Sequence, residues 1–129
     1  NPENHQRMVI ARQAKIEQVA NQIPLLQVQG NPQSDTLLIG WGSTEGHLHA
    51  AANELGCALA HFNYINPLPK NTEEVLRQYK RIVVCELNSG QFAAYLRSKI
   101  ANISLEQYNE LTAQPFAVDR IVNFVKNSL

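Results

Sequence analysis

One short stretch of the sequence, LLIGWGSTEG, constrains the fold more than any other. The apolar run Thr36–Ile39 predicts a strand, and it ends at Gly40 and Gly42, which give the backbone the freedom that a tight turn needs. Ser43 or Thr44 follows as the expected N-cap of a helix. A strand, a turn and a helix start in immediate succession predict an α/β fold.

The rest of the chain continues the alternation of strand and helix patterns. We predict strands at Leu25–Gln29, Thr36–Trp41, Ala58–Ile65, Ile82–Cys85 and Ile103–Leu105. We predict helices at Gln6–Ile23, Thr44–Leu55, Asn71–Tyr79, Gln91–Ile100 and Val118–Val125. Right-handed crossovers between such elements give a mostly parallel open sheet in a three-layer α/β/α arrangement.

Local signals set the expected ends of the helices. Gly56 is expected to end the second helix in a left-handed conformation, and Asn71 or Thr72 to cap the third. In the last helix the apolar positions Ile121, Val122 and Val125 are expected to face inward. Residues 1–129 are predicted to be a single domain with a leading helix over 1–23, and we expect it to be part of a longer polypeptide because it enters a helix without an initial Met.

The composition of the chain argues against several classes of function. The 11 basic and 11 acidic residues balance, so no net field favours nucleic acid or an anionic membrane. The 44% apolar content is typical of a globular domain, and no apolar run reaches the length of a membrane span. Cys57 and Cys85 lie far apart in apolar surroundings, which predicts buried reduced thiols in a cytoplasmic protein.

The loops after residues 41, 65, 86 and 105 are predicted to meet at the carboxyl edge of the sheet, where open α/β folds usually engage ligands and partners. The residues at this edge whose types stand out are candidates for an interface: Trp41, Asn66, Pro67, Leu68, Pro69, Asn88, Gln91, Gln114 and Pro115.

The glycine turn is a weak match to a dinucleotide-binding motif. Glu45 stands at the third glycine position, and the strand Ala58–Ile65 ends without an acidic residue for a ribose. A carboxylate at Glu45 would also repel a pyrophosphate. We therefore favour a structural turn with a capped helix, and keep as a candidate anion or turn site Gly40, Gly42, Ser43 and Thr44.

Other groups give no catalytic or metal site. His47 and His49 are two positions apart on a helix, unlike a metal pair at i, i+4, and His61 lies within a strand. Solvated or locally hydrogen-bonded histidines are the favoured interpretation. Glu86 ends a buried strand where catalytic acids often lie, yet we prefer it as a cap or hydrogen-bond partner for the amides of residues 88–90. We predict no catalytic, cofactor-binding or metal-ligating residue.

Four motifs in order resemble one known family: LIGWGST from Leu38, NPLPKN from Asn66, ELNSGQ from Glu86 and QPF from Gln114. They resemble the C-terminal domain of the α subunit of 2-oxoacid:ferredoxin oxidoreductases, in particular the 2-oxoglutarate branch, over nearly the whole chain. The sequence departs from that pattern at Glu45, where the family often has an aromatic residue, and at residues 111–113, which are less glycine-rich.

The resemblance implies a fold like the C-terminal domain of transketolases. It also implies an enzyme that converts a 2-oxoacid and coenzyme A to acyl-CoA and carbon dioxide while reducing ferredoxin. Thiamine diphosphate would lie between another domain of the α subunit and a partner β subunit, and the complete enzyme would also use Mg and iron–sulfur clusters. This chain has neither a Gly-Asp-Gly thiamine motif nor a cluster-forming cysteine set.

Three hypotheses remain open from the sequence. The leading one is a non-catalytic structural and assembly domain that packs on the rest of the α subunit and the β subunit through the carboxyl-edge loops. The second is a free-standing domain that binds a small ligand or anion at the glycine turn. The third is an independent enzyme with Glu86 as its acid or base.

Overall fold

The sheet has five strands in the order β1-β3-β2-β4-β5. The computed structural model describes residues 19, 21–86, 90–110 and 118–127, with the side chain of Ser43 left out. Within them the strands are β1 (Val28–Gly30), β2 (Thr36–Trp41), β3 (Ala58–Phe62), β4 (Arg81–Glu86) and β5 (Glu106–Asn109). Strands β2 to β5 are parallel, and β1 pairs antiparallel with β3 at one edge.

Four helices connect and cover these strands in the described part of the chain. They are α1 (Glu45–Leu55), preceded by a 3-10 turn over Gly42–Thr44, α2 (Thr72–Leu76), α3 (Gln91–Lys99) and α4 (Val118–Asn127). The predicted leading helix at Gln6–Ile23 lies mostly outside the described residues, although residues 19, 21 and 22 are helical.

Both faces of the sheet carry a buried apolar cluster, so the molecule has three layers. Alternate side chains of β2 point to opposite faces: Leu37 and Ile39 lie in the cluster covered by α2 and α3, whereas Leu38 lies in the one covered by α1 and α4. All three are completely buried. Parallel strands require crossover connections, and these place helices on both faces of the sheet. The predicted three-layer, mostly parallel α/β fold is confirmed.

Two buried thiols belong to the face covered by α1 and α4. Cys57 and Cys85 are free and buried, as predicted. Burial raises the pKa of Cys57 to about 11 and raises that of Cys85 further, because a thiolate loses its hydration in apolar surroundings. Both side chains therefore act as small apolar residues of the core.

Three strands differ from the prediction by more than one residue at an end, and β4 extends one residue further at each end. The first strand occupies Val28–Gly30 because pairing with β3 fixes its register, and β3 itself ends at Phe62. The last strand is Glu106–Asn109, not Ile103–Leu105. Ile103 and Leu105 pack on the core from the preceding loop, so their apolar pattern reported burial and not strand pairing.

The predicted N-cap positions of α1 and α2 are observed, but the predicted side-chain capping bonds of Thr44 and Asn71 are absent. The Thr44 hydroxyl donates to the carbonyl of Trp41 at 3.2 Å, and that of Thr72 to Pro69 at 2.6 Å. These hydroxyls stabilise the turns before the helices instead of the helix amides.

The helix ends are closer to expectation. Gly56 closes α1 with a φ of 67°, as predicted, and the Cys57 amide reaches back to the carbonyl of Ala52 at 3.0 Å. Helix α2 ends at Leu76, and the chain continues to Tyr79 through turn hydrogen bonds. In α4 the residues Ile121, Val122 and Val125 are buried, as predicted.

Arg81 connects the amino ends of two strands to the last helix. Its guanidinium forms two hydrogen bonds with the Glu106 carboxylate, at 2.5 and 2.9 Å, and donates to the carbonyl of Val125 at 2.7 Å. The planar guanidinium of Arg81 suits this bidentate pairing. Its positive charge near the carboxyl end of α4 also interacts favourably with the helix dipole. This edge of the sheet is thus fixed by ionic contacts.

Among the described residues, no helix combines the length and the apolar character that crossing a membrane requires.

The close packing of α1 on β2 depends on glycine at position 40. A Cβ there would lie 2.0 Å from Cδ1 of Leu48, which is completely buried. We expect Gly40→Ala to lower the free energy of unfolding by about 1–3 kcal/mol, because Leu48 has to move within a packed core. Chemical denaturation measures this change.

Gly46→Ala is the matched control for that substitution. Gly46 lies in the same helix, and a Cβ there meets nothing within 4 Å. Alanine should raise the free energy of unfolding by roughly 0.5–1 kcal/mol through its higher helix propensity. Equal effects of the two substitutions would contradict the packing role of Gly40.

Candidate functional site at the carboxyl edge of the sheet

The four parallel strands end at one edge, and the candidate residues that can be examined lie there. Trp41 ends β2, the segment 66–69 follows β3, and Gln91 begins α3 after β4. Asn88, Gln114 and Pro115 lie outside the described residues. The interface role of all the candidate residues, described or not, stays a prediction.

Trp41, at this edge of the sheet, packs on the aromatic residues of the core. The Trp41 ring lies 5.9 Å from that of Phe92, and Phe92 makes an edge-to-face contact with Phe62 at 5.1 Å. Phe62 and Phe92 are almost fully buried, while Trp41 is half-buried. The ring of Trp41 is therefore held in place by the core and exposes only part of its surface.

The glycine turn over residues 40–44 allows α1 to pack closely on β2. Gly40 leaves room for Leu48, and Gly42 adopts a φ of 73°, which favours glycine, with open space where a Cβ would lie. Thr44 is buried, and its hydroxyl is already engaged with the carbonyl of Trp41. Glu45 occupies the first turn of α1, where its charge uses the favourable field of the helix start.

A buried histidine joins the glycine turn to the neighbouring strand. The side chain of His61 is only 4% exposed, and its Nε2 lies 2.9 Å from the carbonyl oxygen of Gly42. Because a carbonyl accepts only, Nε2 carries the proton in this contact. The His61 Nδ1 lies 2.8 Å from Oε2 of Glu45 without the alignment of a directed hydrogen bond, and the two groups attract each other only when Nδ1 also carries a proton.

Beside this pair lies a cleft of about 390 Å³. Its lining combines the segment that leads into β1, the start of α1, and the end of β3 with the loop after it: Pro24, Leu25, Leu26, Gln27, Gln29, Glu45, His61, Asn63, Tyr64 and Pro69. The side chain of Glu45 is 48% exposed here. None of these lining residues, all of them described, is a Lys or Arg, so the cleft favours a neutral or cationic occupant.

Glu86 caps helix α3. Its carboxylate is buried and accepts hydrogen bonds from the amides of Phe92 at 2.7 Å and Ala93 at 3.1 Å. Two otherwise unpaired amides and the positive end of the helix dipole stabilise this charge. The cap that the sequence suggested for Glu86 is therefore present, on amides further along than expected.

A second buried acid completes the edge. Glu110 accepts a hydrogen bond from the hydroxyl of Tyr108 at 2.7 Å and pairs with the Arg120 guanidinium at 2.5 Å. Its amide donates to the carbonyl of Glu86 at 2.8 Å. Burial and the bond to Glu110 raise the pKa of Tyr108 to about 12. This cluster ties β5 to α4.

The chain just after the segment 66–69 is linked through Asn71 to the segment that precedes β1. The Asn71 side chain accepts from the amide of Leu26 at 2.7 Å and donates to its carbonyl at 3.0 Å, as a paired strand would. Asn66 is exposed, Pro67 and Leu68 are half-buried, and Pro69 is buried. Since Leu68 packs on the core, Leu68→Asp would affect folding as well as any interface.

Sequence reasoning did not bring together His61 with Glu45, or Glu110 with Tyr108 and Arg120. The first pair follows from the register that places Gly40 opposite His61 in β2 and β3, which no local pattern records. The described residues include no group of three His, Cys, Asp or Glu side chains that could hold a metal ion. The two cysteines are buried singly, which does not suit an iron–sulfur cluster.

Comparison with known proteins gives two clear similarities. No model of a protein family matches the sequence. The chain is 40% identical over 135 aligned positions to the 2-oxoglutarate oxidoreductase subunit KorA of Mycobacterium tuberculosis, covering 99% of this chain and 20% of the relative. It thus spans about a fifth of that relative's length.

A solved structure agrees with this match. The 2-oxoglutarate:ferredoxin oxidoreductase of Magnetococcus marinus, with 2-oxoglutarate, coenzyme A and succinyl-CoA bound, superposes with a TM-score of 0.87 at 27% identity. The match covers 98% of this chain and 23% of that chain. Both similarities agree with the resemblance inferred from the four motifs.

The cap at Glu86 predicts a stability effect. In Glu86→Gln the side-chain amide directs an N–H group at the amide of Phe92 or Ala93, and the charge at the start of α3 is lost. We expect the free energy of unfolding to fall by about 1–3 kcal/mol. The exposed Glu54→Gln on α1 should change it by less than about 0.5 kcal/mol. Equal effects would contradict the capping role.

Tyr108 predicts a dependence of stability on alkaline pH. Between about pH 10, where an unfolded tyrosine ionises, and about pH 12, the folded chain holds this proton more tightly than the unfolded chain does. Its contribution to the free energy of unfolding is complete below pH 10 and falls as the pH rises to 12. Tyr108→Phe should cost about 1 kcal/mol at pH 7, by loss of the bond to Glu110.

The measurement is the difference between the wild type and Tyr108→Phe in denaturant titrations at several pH values. This difference should shrink from pH 10 to pH 12. Tyr64→Phe at pH 7, an exposed tyrosine, should change stability by less than about 0.5 kcal/mol. A difference for Tyr108→Phe that stays constant up to pH 12 would contradict the assignment.

Proposed function

We propose that this chain, a domain of a 2-oxoacid:ferredoxin oxidoreductase, is the C-terminal structural and assembly domain of the α subunit. The observation that carries the proposal is the similarity to the KorA subunit, 40% identical along 99% of the chain. Because the chain spans only a fifth of that relative, the activity belongs to the whole enzyme. That enzyme would convert 2-oxoglutarate and coenzyme A to the acyl-CoA and carbon dioxide, with reduction of ferredoxin.

The chemistry of the described residues supports a non-catalytic role. Glu86 and Glu110 are buried with their oxygens engaged by amides, a phenol and a guanidinium. The imidazole of His61 is held between Gly42 and Glu45. The two carboxylates thus stabilise the edge of the sheet and are not left open to a substrate. We assign no catalytic residue to this chain.

The cofactors of the proposed enzyme would be held elsewhere. Thiamine diphosphate with Mg, and the iron–sulfur clusters, need carboxylate or thiolate groups that converge, and the described residues do not supply such a set. We therefore place them in the rest of the α subunit and in the β subunit, with ferredoxin as the electron acceptor. A cytoplasmic location suits the two buried thiols.

The assembly role is assigned to the carboxyl-edge loops. The segment 66–69 has two prolines, which fix the backbone and lower the entropy lost on docking. Asn66 and Gln91 are exposed at this edge. With the half-buried Trp41, Pro67 and Leu68, they are the described members of the predicted interface whose surface is accessible to a partner.

An activity assay tests the proposal. The isolated chain should give no turnover with 2-oxoglutarate, coenzyme A, thiamine diphosphate and a ferredoxin-like acceptor. The full α subunit, assembled with a thiamine-binding β subunit, should form acyl-CoA from the same mixture. Turnover by the isolated chain, or an assembled enzyme that is inactive on every 2-oxoacid tried, would overturn the proposal.

The alternative of a free-standing anion-binding domain is tested by calorimetric titration with NAD, NADP, ATP and coenzyme A. We expect no useful affinity, because Glu45 already occupies the favourable field at the start of α1 and repels a phosphate. Micromolar binding that is lost on changing Ser43 or Thr44 would support the alternative.

A further inference from the structure

The cleft beside His61 has an exposed apolar rim that the described part of the chain does not cover. Leu25 is 59% exposed and Tyr64 is 47% exposed, and both line the cleft. With Val19 they are the large apolar side chains most exposed in that part of the chain. Single exposed apolar side chains are common, but here two of them share one concave surface, where a single partner would bury both.

One wall of the cleft is held rigidly. Leu26 is buried, and both its amide and its carbonyl are hydrogen-bonded to the Asn71 side chain. Pro24 directly precedes Leu25 and restricts the backbone of this wall further. The exposed side chain of Leu25 is therefore presented from a fixed backbone, so a partner would order little of this wall on docking.

The charge in the cleft selects the kind of partner. Glu45 contributes a half-exposed carboxylate, and no Lys or Arg stands among the lining residues. The contact with His61 leaves Oε1 of Glu45 without a hydrogen bond from any residue in the described ranges. A basic group placed there would gain an ionic contact, whereas a phosphate or carboxylate would be repelled.

We propose that this cleft is a docking site for a polypeptide segment of the same enzyme lying outside this chain. The segment would place a Lys or Arg side chain against Glu45 and an apolar side chain between Leu25 and Tyr64. The inference rests on the proposed function, since a domain that spans a fifth of its relative's length has other parts to contact. Pro69, part of the predicted interface loop, also lines the cleft, so the surface continues that interface.

Site-specific photo-cross-linking in the assembled enzyme tests the proposal. Benzoylphenylalanine replaces Leu25 in one variant and Tyr64 in a second, so that failure of one variant to fold does not decide the outcome. Exposed Glu54 on α1 carries the same probe as a control. Mass spectrometry should identify, from both cleft positions, a cross-linked peptide outside this chain that contains a Lys or Arg, and not from the control position.

A charge reversal gives the second measurement. Glu45→Lys should lower the yield of that cross-link by about two- to fivefold, the range expected for a partly exposed ion pair. Changing the opposing basic residue to Glu should restore it. Glu54→Lys should leave the yield unchanged.

Three results would overturn the inference: no cross-link above the level of the control, a cross-link to residues 1–18, or a cross-link to a second copy of this chain. Any of them in an assembly that still converts 2-oxoglutarate leaves the proposed function intact. An unmodified assembly without activity would instead count against the proposed function.

Discussion

Burial of the central strands on both faces is the constraint on which the rest of the structure depends. Leu37, Leu38 and Ile39 in β2 are completely buried, as are Val83 and Val84 in β4. Neither face of these strands can be left to water, so a helical layer must cover each, and parallel strands need crossover helices to provide that cover. The same crossovers return the chain to one side, which brings the carboxyl ends of β2 to β5 to a common edge.

The chemistry at that edge is used for structure. Glu86 holds the first turn of α3, and Glu110 joins Tyr108 on β5 to Arg120 on α4. Buried carboxylates are costly unless they are hydrogen-bonded, and here both oxygens of each are engaged. In an enzyme, acids at such positions are often left available for a substrate. Their engagement here agrees with the proposed role of a structural and assembly domain.

Sequence reasoning worked where the determinant was local or periodic. The apolar runs of β2 and β4 identified the buried strands, Gly56 identified the end of α1, and the spacing of Ile121, Val122 and Val125 identified the buried face of α4. It was wrong where a local signal had two physical uses. Thr44 and Asn71 have side chains suited to caps, yet the first bonds to Trp41 and the second to the backbone of Leu26. Ile103 and Leu105 are apolar because they cover the core from a loop.

The sequence by itself determined the fold class, the order of the elements and the edge of the sheet at which Trp41 and the segment 66–69 lie. These follow from hydrophobic period and from glycine and proline positions. Its four motifs also determined the family resemblance. Only the tertiary structure decided which polar groups meet. The register of β2 against β3 places His61 beside Gly42 and Glu45, and the fold places Asn71 against Leu26, 45 residues away in sequence. These contacts depend on how whole elements pack together, and a linear pattern carries no record of that distance in space.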